Sequence, residues 1–428
     1  MDPSPMATDG ELLLLVPTRS YRTDDFRAAA ARLGVPLVLG SDRCHRIEEA
    51  FGEAPGLISL DYRRPARAAG QIAAAARRRP IRAVVPVDEG TAVIAALAAE
   101  KLGLPHNPPA AAGRAADKHA MRRALREAGV PVPDFRLFDL TGGPEGPAGQ
   151  VQYPCVLKPL LLSASRGVIR ADDPASFAGA WRRVERILEA ARAERRPRDQ
   201  RVARQVLVED FVPGAEVAVE GLLRGGSLEL LALFDKPDPL DGPYFEETLY
   251  VTPSRHPAAL QQAVQRVAAE AARALGLTEG PVHAELRLSA DGPVVLEVAA
   301  RSIGGLCARA LRFGAGLSLE EIVVAHAVGL PLSTLTREAR ASGVMMLPIP
   351  RRGILQGVSG LTAARAVSGV EDVVVTIPEG REVVPLPEGD AYLGFLFARA
   401  GRPEEVERAL RAAHARLAFD IRPALPTV

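Results

Sequence analysis

The chain has 428 residues, 47% apolar and 25% charged, which is ordinary for a soluble globular protein and enough for two to four domains with substantial cores. With 53 basic against 52 acidic residues its net charge is +1, which supplies no field for a nucleic acid or an anionic membrane and leaves small acidic or zwitterionic partners. Cys44, Cys155 and Cys307 fit no metal-ligand spacing, and the early apolar run Leu12–Val16 is too short to span a bilayer and lacks a basic leader, so a reduced, cytoplasmic protein is the expectation.

From residue 11 to about 112, apolar strands alternate with helical patterns: Leu12–Val16, a helix near Asp24–Leu33, Leu37–Leu39, Leu57–Leu60, a helix near Pro65–Arg78, Ala83–Val87 and a helix near Thr91–Leu102. That order predicts a parallel sheet. Pro17–Thr18–Arg19–Ser20 stands where a dinucleotide fold would place G-x-G-x-x-G, so dinucleotide binding is not supported. The turn Val87–Asp88–Glu89–Gly90–Thr91 either caps the next helix or faces a substrate. Leu104–Pro109 breaks the pattern and Asp117–Lys118 opens an amphipathic helix ending at Gly129, which sets a first domain at 1–112.

A second segment, 113–205, contains a short strand, Tyr153–Pro159, with Lys158 near its end and the small-residue stretch Ser163–Ala164–Ser165–Arg166–Gly167 five residues later. A long helix over about Pro174–Arg192 runs into the basic, proline-broken Arg195–Arg201, a solvated connector without the aromatics of an RNA-binding surface. In a third segment, 206–340, Val206–Gly221 reads as strand, turn, strand, Leu228–Phe234 extends the sheet, and a polar and aromatic loop covers Lys236–Glu247. Helices near Pro257–Leu275 and Ser318–Val328 flank a hairpin. Within the hairpin Val282, Ala284, Leu286 and Leu288 share one face while His283, Glu285 and Arg287 share the other, and Asp291–Gly292–Pro293 makes the turn before Val294–Val298. If the loop closes symmetrically between Leu288 and Val294, Glu285 lies opposite Glu297. Opposed carboxylates repel unless a hard cation such as Mg²⁺ sits between them, whereas a slip of one residue would leave both merely solvated. From 341 to 428, strands near Gly343–Pro348, Val370–Ile377 and Tyr392–Ala400 and a helix over Pro403–Phe419 predict a small α+β domain.

Lysine is rare. Lys101, Lys118, Lys158 and Lys236 are the only lysines among the 53 basic residues, which marks each as a site where a compact ammonium is needed rather than a guanidinium. Lys158 followed by a small-residue loop suits a triphosphate, because a point cation and closely approaching backbone N–H groups both favour it. The Walker pattern G-x-x-x-x-G-K-[ST] is absent. Glu209–Asp210–Phe211–Val212 joins two strands and could offer backbone to a purine edge, with Glu216 spaced to reach a ribose.

Taken in order, Lys118, Lys158, the Ser163–Gly167 loop, Glu209 to Glu216, Glu285, and Glu297 with Arg301 resemble the ATP-grasp superfamily, over about residues 5–330. Gly242–Glu247, Leu296–Arg301, Gly357–Gly360 and Leu393–Phe395 resemble the L-amino acid ligases within it. The resemblance implies an ATP-grasp fold of mixed α/β and α+β class: an N-terminal parallel-sheet (Rossmann-like) domain, a two-subdomain nucleotide clamp (113–205 and 206–340) and the small C-terminal domain. It also implies an ADP-forming carboxylate–amine ligase that works through an acyl phosphate and makes a dipeptide or amide. By the same likeness, Lys118 and Lys158 hold ATP phosphates, the loop with Ser163, Ser165 and Gly167 covers them, the backbone of Glu209, Asp210, Phe211 and Val212 meets adenine, and Glu216 meets the ribose. Glu285 and Glu297 hold Mg²⁺, with Mn²⁺ as an alternative. Arg301, Gly304 and Gly305 stabilise the developing oxyanion, and Glu246 and Lys236 meet substrate. Ala299 stands where many ATP-grasp enzymes carry Asn, which implies fewer protein ligands on one metal. The expected partners are ATP and small carboxylate and amine substrates, with no nucleic acid or membrane and a homodimer left open. The competing readings are a carboxylase or formyl-transfer ATP-grasp enzyme and an ATP-binding regulatory protein without catalysis.

Overall fold

A computed structural model describes residues 10–17, 20–42, 56–160, 162–195, 202–314, 316–332 and 334–423. Cys44, Thr18 and Arg19 of the Pro17–Ser20 turn, and most of the Arg195–Arg201 connector lie outside them. Strands β1 (Glu11–Val16), β2 (Leu37–Ser41), β3 (Leu57–Ser59) and β4 (Ile81–Pro86) form a parallel sheet in the order β3-β2-β1-β4, connected through α1 (Thr23–Arg32), α2 (Pro65–Ala76) and α3 (Glu89–Leu102). The central strand is apolar on both faces, with Leu12 to Leu15 fully buried, as expected where both sides of a parallel sheet are covered. Asp88 caps α3, accepting from the Thr91 amide at 3.0 Å, and Gly103 ends it at φ 67°, where a side chain would be strained.

Two short helices, α4 (Pro109–Ala116) and α5 (Lys118–Glu127), cross the expected boundary at 112. Their apolar sides, Ala111, Ala115, Met121 and Leu125, pack into the same core as Val217, Val264, Val282 and Val298, so these helices brace the large sheet rather than the lid. The lid is a second sheet: β5 (Phe135–Asp139), β6 (Cys155–Pro159), β7 (Ile169–Ala171) and β8 (Gln205–Asp210) in the order β5-β8-β6-β7, backed by α6 (Pro174–Arg195) through Phe177, Trp181 and Val184. Strand β8 lies largely beyond the sequence boundary at 205 yet pairs only with lid strands, so the chain passes from lid to large sheet at the turn Phe211–Gly214, termed the hinge below.

The large sheet begins with β9 (Ala215–Arg224), β10 (Ser227–Lys236), β11 (Leu249–Thr252), β12 (Gly280–Ser289) and β13 (Gly292–Ala299), with α7 (Ala258–Leu275) on one face and α8 (Leu319–Ala327) on the other. It does not stop at residue 340. β14 (Ala341–Leu347) pairs with β11, and β18 (Gly394–Ala400) and β16 (Val370–Val375) extend the sheet to eight strands, β13-β12-β9-β10-β11-β14-β18-β16. The C-terminal region is therefore α+β as expected but continuous with the sheet before it. The helix expected over 403–419 is α9 (Pro403–His414), after which β19 (Ala418–Arg422) joins β15 (Gly353–Ser359) and β17 (Glu382–Val383) in a small sheet. Alternation over Ala418–Arg422 fits a strand, and the helical reading ran past the end of the amphipathic pattern. No helix of the described residues is long and apolar enough to cross a membrane.

Candidate active site

The β12–β13 hairpin aligns Glu285 with Glu297, but not by the symmetrical closure its sequence suggests. Leu288 pairs with Pro293 and Arg287 with Val294, one residue out of that scheme, and a bulge between Leu286 and Glu285 restores the pairing. The unpaired residue is Leu296, whose carbonyl accepts from Arg122 Nη2 at 2.5 Å. A bulge re-aims side chains next to a site, and here it brings the two carboxylates face to face.

Between lid and large sheet lies a cleft of about 760 Å³, a figure that includes space open to solvent. Lys118, Lys158, Ser163, Ser165, Glu209, Asp210, Phe211, Val212, Glu216, Glu285 and Glu297 line it, together with Phe245, Glu247 and Arg287. Lys118 Nζ donates to the Leu162 carbonyl at 2.9 Å, tying α5 to the small-residue turn. That turn holds Ala164 and Ser165 at φ 54° and 55°, two successive left-handed residues without glycine, a strain that structures retain mainly at functional sites. In the hinge, the Asp210 and Phe211 amides already donate to Asp134 and Pro154 carbonyls, both at 2.9 Å.

Glu209 is the buried anchor of the cleft wall. It is 1% exposed, with Arg122 at 2.5 Å and Lys158 Nζ at 2.6 Å. Burial opposes its ionisation, but the two cations outweigh that and hold its carboxyl below the usual range. Glu209→Gln leaves Arg122 and Lys158 without their counter-charge and is expected to lower stability by about 3 kcal/mol in urea unfolding; a loss under about 0.5 kcal/mol would mean the cations find other partners.

Opposite the hinge, Lys236 sits buried among three carboxylates: Glu216 at 2.6 Å, Glu247 at 2.5 Å and Glu285 at 3.4 Å. Burial works against its charge, yet the carboxylates raise its pKa well above the ordinary value. Glu247 is pushed up to about 7 by burial and by the Glu285 charge. Ligand oxygens of Glu216, Glu247 and Glu285 lie within 4.8 Å of one another, but the Lys236 ammonium sits among them. The Glu285–Glu297 pair, facing into the cleft, has the hard-oxygen donors that suit Mg²⁺, which needs only one or two carboxylates when substrate phosphates complete its shell.

Behind Glu285, His283 Nε2 lies 3.3 Å from a Glu285 oxygen and Nδ1 lies 3.1 Å from Glu220, which also accepts from the Ile303 amide. Burial disfavours the imidazolium, but hydrogen bonds to both carboxylates raise it to about 9, and its charge helps to keep Glu285 ionised. Ala299 pairs across the strand with His283 and is fully buried.

Arg301, Gly304, Gly305, Gly167, Glu246 and Lys236 do not line the cleft itself. Arg301 donates to the Ser302 carbonyl at 3.0 Å, and the Glu89, Glu297 and Glu285 charges overcome burial to raise its pKa. A Cβ on Gly304 would meet Arg301 Nη1 at 4.0 Å, and one on Gly305, at φ 61°, would meet Phe395 at 3.0 Å. Glu246 is half-buried, which raises its pKa, and it makes no hydrogen bond or ion pair among the described residues.

Glu89 belongs to the turn that the sequence leaves open as a helix cap or a substrate-facing turn. Asp88 does the capping, while Arg22 donates to the Val87 carbonyl at 2.8 Å and to Ser302 Oγ at 2.6 Å, holding the start of α3 against the Arg301 turn. Burial and the Glu297 charge push Glu89 up to about 6, despite Arg301 and Lys118. A carboxyl raised in the folded state favours folding at low pH and loses that advantage as pH rises through about 6. Glu89→Gln is therefore expected to raise stability by about 1–2 kcal/mol at pH 8 and to leave it unchanged at pH 4; equal effects at both pH values in thermal or urea unfolding would contradict the buried carboxylate. Arg122, His283, Arg287 and Glu247 were also missed as site residues. The signal was present: Arg122 is one helical turn after Lys118, and His283 and Arg287 share the face of Glu285.

Known proteins share the fold and stretches of the sequence. Residues 26–106 match the ATP-grasp N-terminal domain and residues 151–310 the ATP-grasp domain, and the chain belongs to the ATP-grasp superfamily. Within it the chain resembles the L-amino acid ligases: residues 345–422 match L-amino acid ligase C-terminal domain 2. The fold is similar to that of the L-amino acid ligase from Bacillus licheniformis, with a TM-score of 0.76, 24% identity, and coverage of 96% of this chain and 99% of that one. Carnosine synthase 1 of Gallus gallus is 30% identical over 322 residues, 72% of this chain and 34% of its own length. A D-alanine--D-alanine ligase of Aromatoleum aromaticum is 28% identical over 191 residues, 44% of this chain and 57% of its own. The chain thus spans less than two thirds of the length of these two curated relatives.

Proposed function

We propose that this chain is an ATP-dependent, ADP-forming ligase that joins the carboxylate of an amino acid to an amine, giving a dipeptide or related amide. The observation that carries the reading is the convergence on one cleft of Lys118, Lys158, the strained 163–167 turn and the opposed Glu285–Glu297 pair, with Arg301 and Gly304–Gly305 just beyond Glu297. Lys118 and Lys158 bind the phosphates as point charges, the turn covers them with backbone N–H groups, the Glu209–Val212 hinge meets adenine and Glu216 the ribose. Mg²⁺ or Mn²⁺ held by Glu285 and Glu297 would neutralise charge on the triphosphate.

In the first step a substrate carboxylate oxygen bonds to the γ-phosphorus and the bond to ADP breaks. In the second an amine nitrogen attacks the acyl carbon, inorganic phosphate leaves with the C–O electron pair, and the nitrogen gives up a proton. Arg301 and the Gly304 and Gly305 amides stabilise the negative charge that develops on the acyl oxygen. Glu246, half-buried and unpaired, suits a substrate ammonium, and Lys236, ringed by carboxylates, keeps the Glu216–Glu247–Glu285 wall from repelling itself.

Turnover of ATP across pairs of amino acids, with the product identified by mass, tests the reading. Amide formation that requires both partners is expected. ADP release that ignores amino acids, or no product from any pair, would defeat it.

A further inference from the structure

We propose that the C-terminal loop 385–390 is a strap that positions the phosphate-covering turn of the lid, and that Glu388 and Arg183 are the positioning pair that fastens it. The inference rests on the proposed reading that the cleft takes a nucleotide. The turn 163–167 belongs to the lid, and the chain joins lid to large sheet on one side only, through the segments before β5 and after β8. On the other side, contacts from far along the sequence cross from the large-sheet body to the lid. The Gly167 amide donates to the Pro387 carbonyl at 2.8 Å. A Cβ on Gly167 would fall 2.7 Å from Pro159 Cγ, so this residue, at φ 74°, is held between its own sheet and the strap.

Two residues into α6 from the lid's buried Trp181, Arg183 grips Glu388 in a fork, Nε to Oε1 at 2.6 Å and Nη2 to Oε2 at 2.9 Å. Its guanidinium also lies 4.9 Å from the centre of the Tyr244 ring, in the loop after β10. The strap is braced from below: the Gly389 amide donates to the Pro385 carbonyl at 2.9 Å, a Cβ on Gly389 would collide with the Val384 carbonyl, and the Leu393 amide donates to Leu347 of β14 at 2.9 Å. The tip touches the lid while the base runs from β17 of the small sheet to Leu393 beside β14 of the large sheet. A closed turn over the phosphates is thus an arrangement the C-terminal region helps to hold, and releasing the strap frees the turn without touching a nucleotide-lining side chain.

The Arg183 and Glu388 side chains are 33% and 39% exposed, so water and salt weaken the pair, and its effect is a modest one. The test uses the full chain, with Mg²⁺-ADP as the probe. Glu388→Gln is expected to raise the dissociation constant of ADP and the KM for ATP about fivefold, with kcat within about twofold, and to speed amide hydrogen exchange across residues 163–168 in the absence of nucleotide. The charge-reversed double variant Arg183→Glu with Glu388→Arg restores both readouts, which a merely structural disturbance would not do. Unchanged ADP affinity in Glu388→Gln, or unchanged exchange at 163–168, overturns the strap. A wild-type chain that binds no nucleotide overturns the parent reading instead, and the exchange measurement still decides whether loop 385–390 holds the turn.

Discussion

Glu297→Ala is expected to lower ATP turnover by about a thousandfold, close to 4 kcal/mol of lost transition-state stabilisation, with little change in stability. The two halves of that result have separate causes. Glu297 lines the cleft and stands opposite Glu285, so removing it takes away half of the carboxylate pair proposed to hold Mg²⁺. The same removal relieves a like-charge contact across the strands, which offsets by about 0.2–1 kcal/mol whatever packing is lost. Glu285→Ala lacks that separation: its carboxylate also faces Lys236 at 3.4 Å and His283 at 3.3 Å, and its loss leaves both cations undercompensated. Glu297→Ala is therefore the cleaner variant. Steady-state phosphate release and urea unfolding on one preparation check it, with Mn²⁺ binding by electron paramagnetic resonance as a readout independent of turnover. Turnover within tenfold of wild type would remove Glu297 from the proposed role.

How far such a pair could be read from sequence is shown by the hairpin itself. Alternation over 282–288 gave the faces of β12 correctly, because period-two patterning is a local property of a half-buried strand. The pairing of Glu285 with Glu297 was anticipated, but through a loop closure that does not occur. A bulge at Leu296 is set by tertiary contact, the Arg122 hydrogen bond to its carbonyl, and no local pattern encodes that. The N-terminal sheet was legible for the same reason the faces were, since buried parallel strands are continuous apolar runs. Segment boundaries were not: β8 and β14 join sheets across expected breaks, because strand pairing is decided by long-range hydrogen bonding rather than by the composition of the linker. Rarity of lysine pointed to four residues, of which Lys118, Lys158 and Lys236 lie at or beside one cleft while Lys101 is exposed in the last turn of α3 and does not line it. It also made arginine look generic, which hid Arg122 behind Glu209 and Arg287 behind Glu216.

Arg301→Ala is expected to reduce kcat by about a hundred- to a thousandfold while the KM for ATP stays within about threefold. Arg301 does not line the cleft, yet its charge is coupled to Glu89, Glu297 and Glu285 and its guanidinium lies against Gly304. Under the proposed function, a residue so placed acts where charge develops on the acyl group rather than where ATP binds. Arg301→Lys keeps the charge but loses the planar fork, and an intermediate loss of about tenfold is expected. The same substitution has a structural consequence that can be told apart by pH. Without Arg301, Glu89 loses a cation that lowers its pKa, so the carboxyl rises further above about 6 and disfavours folding more strongly as pH increases. Arg301→Ala should thus be more destabilised at pH 8 than at pH 5, and adding Glu89→Gln should recover stability at pH 8 without recovering kcat. Recovery of turnover in that double variant would show that Arg301 serves only to neutralise Glu89, whereas a large rise in the KM for ATP would place it on the phosphates.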